Sequence, residues 1–71
     1  MTVLDRLRGI WEEQLGFAVL NEDENFFDLG GDSLMALTVA KRAAEMGIPV
    51  TPAAVLKHPT LRELAASVSD A

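Results

Sequence analysis

Apolar residues return at three- and four-residue spacing in separate stretches of this chain, and glycine or proline punctuates the intervals between them. That period fits helices, and no stretch reads as a strand. Leu4, Leu7, Trp11 and Leu15 carry the first stripe, with Asp5, Arg6, Arg8, Glu12 and Glu13 between them, which predicts an amphipathic helix over 3–15. Thr2 is placed to cap it, with Asp5 three residues on in a weak capping box, and Gly16 to end it. Residues 34–46 hold neither Gly nor Pro and predict a second helix that stops at Gly47. Leu34, Leu37, Ala40 and Ala44 fall on one of its stripes, and Met35, Val39 and Met46 on a neighbouring one. Asp32 or Ser33 can cap it. Pro52 suits a first helical position, so 53–57 reads as a short third helix halted by His58-Pro59. Thr60 caps a last helix, with Glu63 at the capping-box position and Leu61, Leu64, Ala65 and Val68 facing inward. The expected fold is all-α, a small bundle of three main helices plus one short helix, with Leu7, Trp11, Leu37, Leu61 and Leu64 buried together.

From Phe17 to Asp32 the period fades and a long loop is expected. Loops above about 12 residues are uncommon in compact domains and often functional. Val19, Leu20, Phe26, Phe27 and Leu29 are expected to pin this one to the core, and the run Glu22-Asp23-Glu24 reads as a solvated turn rather than a metal site. At 71 residues the chain is expected to be a single domain over 1–71, ending in a short Ser69-Asp70-Ala71 tail, and too small for most stand-alone enzymes. It has no cysteine, so any thiol chemistry must be imported. Six basic against eleven acidic residues leave a net charge of -5, which argues against nucleic acid or an anionic membrane as partner. No membrane span or secretory signal is visible, and a soluble cytoplasmic protein is expected.

The chemistry concentrates in Phe26-Phe27-Asp28-Leu29-Gly30-Gly31-Asp32-Ser33-Leu34. Two glycines allow a sharp turn and close approach by another molecule. The helix start that follows offers free amides and a positive dipole end, where a phosphate on Ser33 would be stabilised. A blander reading competes on equal terms: the glycines make a turn and Ser33 merely caps a helix. Gly31-Asp32-Ser33-Leu34 also spells the signature of one serine hydrolase family. Such an enzyme needs a base and an orienting acid, yet the sole histidine, His58, lacks that family's Asp three residues earlier, and Ser33 follows no strand. His58 reads instead as a loop residue beside Pro59. One His and no Cys leave only carboxylates to make up a metal site, and none is expected.

Extended to Asn25, the same stretch resembles the attachment site of the peptidyl carrier domains of nonribosomal peptide synthetases, in the phosphopantetheine-binding acyl carrier superfamily. Gly47-Ile48, His58-Pro59-Thr60-Leu61 and Leu64-Ala65 also resemble that family's pattern, so the likeness covers nearly the whole chain. The resemblance implies an acyl-carrier-like bundle in which Ser33 receives a 4′-phosphopantetheine arm from coenzyme A, with Gly31, Asp32 and Leu34 around the attachment. The arm's thiol would hold an aminoacyl or peptidyl thioester. A phosphopantetheinyl transferase would bring the activating group and the magnesium ion, so the chain itself would be no enzyme. Implied partners are adenylation and condensation enzymes, and also epimerisation, tailoring or thioesterase enzymes, with the carrier as a monomer in peptide antibiotic biosynthesis. Asp32 before the serine is sometimes linked to carriers that serve epimerisation.

Fatty-acid carriers usually have a strongly acidic second helix, whereas Lys41 and Arg42 lie on this one. Polyketide-type acyl carriers are closer but seldom have both Gly30 and Gly31 after a leucine. The polyketide type remains the first alternative, and a non-covalent helical interaction module the second. Leu34 and Met35, adjacent on a helix, point about 100° apart, so one of them should stay exposed as a docking contact. Met35 is expected to be the more exposed, with Leu34 at the edge of the same patch.

Overall fold

The structure, a computed structural model, describes residues 2–69. Helices α1 (Val3–Leu15), α2 (Ser33–Glu45), α3 (Pro52–Lys57) and α4 (Leu61–Ser69) follow one another, and no strand occurs among the described residues. The all-α expectation holds. Ser69 of the expected tail closes α4, while Asp70 and Ala71 lie outside the described residues.

Local capping chemistry fixes the helix ends. Thr2 Oγ1 accepts from the Asp5 N–H at 3.1 Å and the Asp5 carboxylate accepts from the Thr2 N–H at 3.5 Å, completing the capping box of α1. Gly16 ends that helix at φ 83°, a left-handed conformation that favours glycine. At α3, Pro52 occupies the first turn as expected, and Thr51 adds a cap, accepting from the Ala54 N–H at 3.1 Å. At α4, Thr60 Oγ1 accepts from the Glu63 N–H and donates to Glu63 Oε1, both at 3.1 Å.

Helix α1 packs on α2 and α4, and α3 bridges α2 and α4. The core gathers Leu7, Ile10 and Trp11 from α1, Val55 from α3, and Leu61, Leu64 and Ala65 from α4, with Ile48 and Val50 from the connection before α3. Val68 packs at its margin. Four of the five side chains expected at the centre are fully buried, but Leu37 is not: it is 53% exposed. Helix α2 instead buries Ala36, Val39, Ala40 and Ala43, a stripe at i, i+3, i+4 and i+7. At about 100° per residue, Leu34, Leu37 and Lys41 fall on the opposite side. Of the two neighbouring stripes expected on this helix, Ala40 and Val39 are buried and Met35 packs partly against the core, whereas Leu34, Leu37, Ala44 and Met46 are exposed. The physical reason is volume. Interhelical distance depends on the contact side chains, and an alanine-rich stripe lets α2 approach its neighbours where leucines would overfill the space.

Candidate functional site

The long loop is held from several sides before it delivers the chain to α2. The Val19 side chain is buried and its N–H donates to Glu12 Oε2 at 2.8 Å. Asn21 Oδ1 accepts from the Asp23 N–H at 2.9 Å and Asn25 Oδ1 from the Phe27 N–H at 2.8 Å, two turns built by asparagine side chains. Phe26 is fully buried, its ring tilted against Trp11 with centroids 4.8 Å apart and edge-on to Phe27 at 5.5 Å. Phe27 and Leu29 pack partly against the core, but Leu20, expected to pin the loop, points out at 89% exposure. Its neighbour Val19 fills the core position, so the backbone turns Leu20 outward.

The acidic run proves to be more than a solvated turn. Arg62 Nε lies 2.7 Å from Asp23 Oδ1, and the Arg62 N–H donates to the Glu22 carbonyl at 3.1 Å. Glu22 Oε2 lies 3.4 Å from Arg8, so the run joins α1 to α4 through the loop. The Asp23 hydrogen bond, then the charges of Asp23 and Glu22, raise the Arg62 pKa. Such exposed pairs each contribute little to stability.

At the loop's end Phe26 organises the turn. Its N–H donates to the Pro59 carbonyl at 2.7 Å, and its own carbonyl accepts from the Leu29 N–H at 3.2 Å and the Gly31 N–H at 3.0 Å. Gly30 has φ 105°, which supplies the sharp turn. Gly31 plays a different part: a Cβ there would strike the Phe26 ring. Its bare face is turned toward the core rather than toward an approaching molecule.

Of the two candidate caps, Asp32 takes the role. It is the N-cap of α2, its Oδ1 accepting from the Met35 N–H at 2.8 Å and its carbonyl from the Ala36 N–H at 2.9 Å. Ser33 is the first residue of the helix, exposed, and its hydroxyl has no hydrogen-bond partner among the described residues. A serine relieved of capping duty presents its Oγ at a helix start, beside the amides of Ser33 and Leu34 that the Asp32 carboxylate leaves free. The exposure order after it is the reverse of that expected. Leu34 is 75% exposed, whereas Met35 is half-buried and packs against the core. Met35 lies nearer the buried stripe in angle, and its flexible side chain fills the space beside it.

Phe17, Leu37, Met46 and Leu56 join Leu20 as exposed apolar residues that sequence reasoning did not assign to a surface. For Leu37 the room between α2 and its neighbours, not hydrophobicity, gives the core face to the alanines; for Leu56 nothing in the local pattern marks it. A shallow cleft of about 300 Å³ between α3 and α4 is lined by Thr51, Ala54, Lys57, His58, Ser67 and Val68 among others, and does not include Ser33. His58 ends α3, its N–H donating to the Ala54 carbonyl at 2.8 Å. Among the described residues, no group of three or more His, Asp or Glu is placed to hold a metal ion, and no helix is long and apolar enough to cross a membrane.

Known proteins share this arrangement. A family model described as a phosphopantetheine attachment site matches residues 5–68. The chain is 47% identical over 62 residues to part of a phenolphthiocerol/phthiocerol polyketide synthase polypeptide of Mycobacterium tuberculosis, covering 87% of this chain and 4% of that protein. It is 42% identical over 62 residues to part of a linear gramicidin synthase polypeptide of Brevibacillus parabrevis, covering 87% of this chain and 1% of that one. The chain thus spans only a small fraction of either relative. Among solved structures, a complex of the phosphopantetheine transferase Sfp with coenzyme A and a peptidyl carrier protein aligns over the whole of this chain and 94% of its counterpart, at 30% identity and a TM-score of 0.86.

Proposed function

The chain belongs to the phosphopantetheine attachment-site family, and from that premise we propose that it is a carrier domain of the nonribosomal peptide type in which Ser33 receives the 4′-phosphopantetheine arm. The observation that carries this reading is the division of labour at the head of α2. Asp32 caps the helix, which leaves the Ser33 hydroxyl exposed and without a hydrogen-bond partner among the described residues. The residues present fit the group. Ser33 offers an accessible oxygen for a phosphodiester, and the helix start supplies free amide donors beside it. When bound, the arm supplies the thiol that the cysteine-free chain lacks, and with it a thioester for an aminoacyl or peptidyl group.

Nothing around Ser33 is arranged to activate it. On this reading a phosphopantetheinyl transferase brings the base and the magnesium ion and the chain performs no catalysis of its own; the placement of the chain's histidine in the α3–α4 cleft, away from Ser33, supports it. Leu34 and Leu37, exposed on the side of α2 opposite the core stripe, form the contact surface for that transferase and for adenylation and condensation enzymes. Met35 contributes its outer edge. The carrier acts as a monomer in the cytoplasm, visiting these enzymes in turn, with epimerisation, tailoring or thioesterase enzymes as further stops. The 47% identity to part of a polyketide synthase favours one second reading, in which the cargo is a polyketide acyl group on the same arm.

Incubation with coenzyme A, magnesium and a broad-specificity transferase tests the proposal by intact mass. One added phosphopantetheine supports a carrier. No addition, with the transferase active on a control carrier, leaves a helical interaction module in which Ser33 has no chemical role.

A further inference from the structure

Four of the five glycines have open space where a Cβ would stand; Gly31 alone does not. A Cβ there would fall inside contact distance of Phe26 Cε2 and Cδ2 and 2.8 Å from Cζ. The backbone does not demand glycine, because Gly31 is not among the residues with positive φ. Space alone demands it. Nor can the Phe26 ring step aside: it is 0% exposed, it packs between Trp11 and Phe27, and its backbone is tied to Pro59. Protein interiors of this density transmit strain rather than absorb it. Any side chain at Gly31 must therefore lift the loop, and the next residues along are Asp32, which caps α2, and Ser33.

We propose that Gly31 and Phe26 are a positioning pair for arm transfer, the ring serving as the floor on which Gly31 seats, so that the Ser33 hydroxyl is held at a fixed place at the head of α2. The inference rests on the reading of Ser33 as the attachment residue. Neither residue touches the reacting atoms; each acts through the backbone that leads to them. Group transfer is sensitive to such placement, a displacement of about 1 Å costing up to about 10²-fold in rate.

A double-mutant cycle tests the pair, with kcat/KM for transfer of the arm measured on samples shown to be folded by circular dichroism. Gly31→Ala on the wild-type background is expected to slow loading by at least about tenfold. The same change on the Phe26→Leu background, where the ring that the new methyl strikes is gone, is expected to cost less than about threefold. The amide resonance of Met35, which reports the Asp32 cap, should shift in Gly31→Ala and return toward the Phe26→Leu position in the double variant. Loading of folded Gly31→Ala at the wild-type rate, or an equal cost on both backgrounds, overturns the pair. If Gly31→Ala does not fold, the double variant decides. Folding and loading like Phe26→Leu supports the pair, and a double variant that is unfolded or loads more slowly overturns it. Absence of an arm on wild-type Ser33 defeats the attachment reading itself, a result distinct from either.

Discussion

Replacing Leu37 by alanine removes the branched end of a side chain that is 53% exposed on the outer side of α2. Full burial of a leucine side chain is worth about 1.5–3 kcal/mol. With about half its surface already in water, roughly 0.7–1.5 kcal/mol is at stake. No closed cavity is left behind, and the higher helix propensity of alanine returns a few tenths of a kcal/mol. The expected loss is about 0.5–1 kcal/mol, or a fall of about 2–8 °C in thermal midpoint for a chain of this size. Leu7, on α1, is fully buried, and Leu7→Ala should cost about 2–5 kcal/mol. Against a total stability of about 4–10 kcal/mol at this length, that is a large share. Urea unfolding followed through the emission of Trp11, the chain's one tryptophan and itself buried, gives both values. Leu37→Ala should at the same time slow partner enzymes that dock on this side of α2. A loss above about 2 kcal/mol for Leu37→Ala would mean that α2 is rotated to bury Leu37, and the assignment of its outer surface would fall with it.

Asp32→Ala deprives the Met35 N–H of its acceptor and should cost about 0.5–2 kcal/mol, read as a lower urea midpoint; an unchanged midpoint would mean that Asp32 is not the working cap. Gly30→Ala places a side chain at φ 105° and should destabilise by about 1–3 kcal/mol through backbone strain, with thermal unfolding as the measure. Asp23→Asn weakens the tie from the loop to Arg62 and should speed amide hydrogen exchange in the loop while leaving the core amides of α1 unchanged; equal protection in both proteins would show that the ion pair does not restrain the loop.

Helix boundaries were legible because their determinants are local. Thr2 with Asp5, Gly16, Pro52 and Thr60 with Glu63 each act within a turn of where they stand, and the structure uses every one. The inward side of α2 was not legible in the same way. Ranking residues by hydrophobicity favours Leu37 over Ala36 and Ala43, but the choice is made by the room between α2 and its neighbours, which no stretch of α2 encodes. The long loop shows the same divide. Its anchor, Phe26, was one of five apolar residues expected to pin it, and another of the five, Leu20, is exposed. Its partners at Pro59 and Arg62 are contributed by residues more than thirty positions away, so their pairing emerges only once α4 is in place. At the site itself, the sequence marked Asp32 and Ser33 as alternative caps. Only the geometry assigns the cap to Asp32 and thereby frees Ser33.

Fragmentation of the loaded chain by mass spectrometry tests that freed serine most directly. After incubation with coenzyme A, magnesium and a transferase, the wild-type chain should carry one phosphopantetheine on the peptide around Asp32-Ser33-Leu34, with the modification on Ser33. The Ser33→Ala chain, which keeps its Asp32 cap and should remain folded, should carry none. An arm on any other residue, or an arm on Ser33→Ala, would contradict the assignment of Ser33.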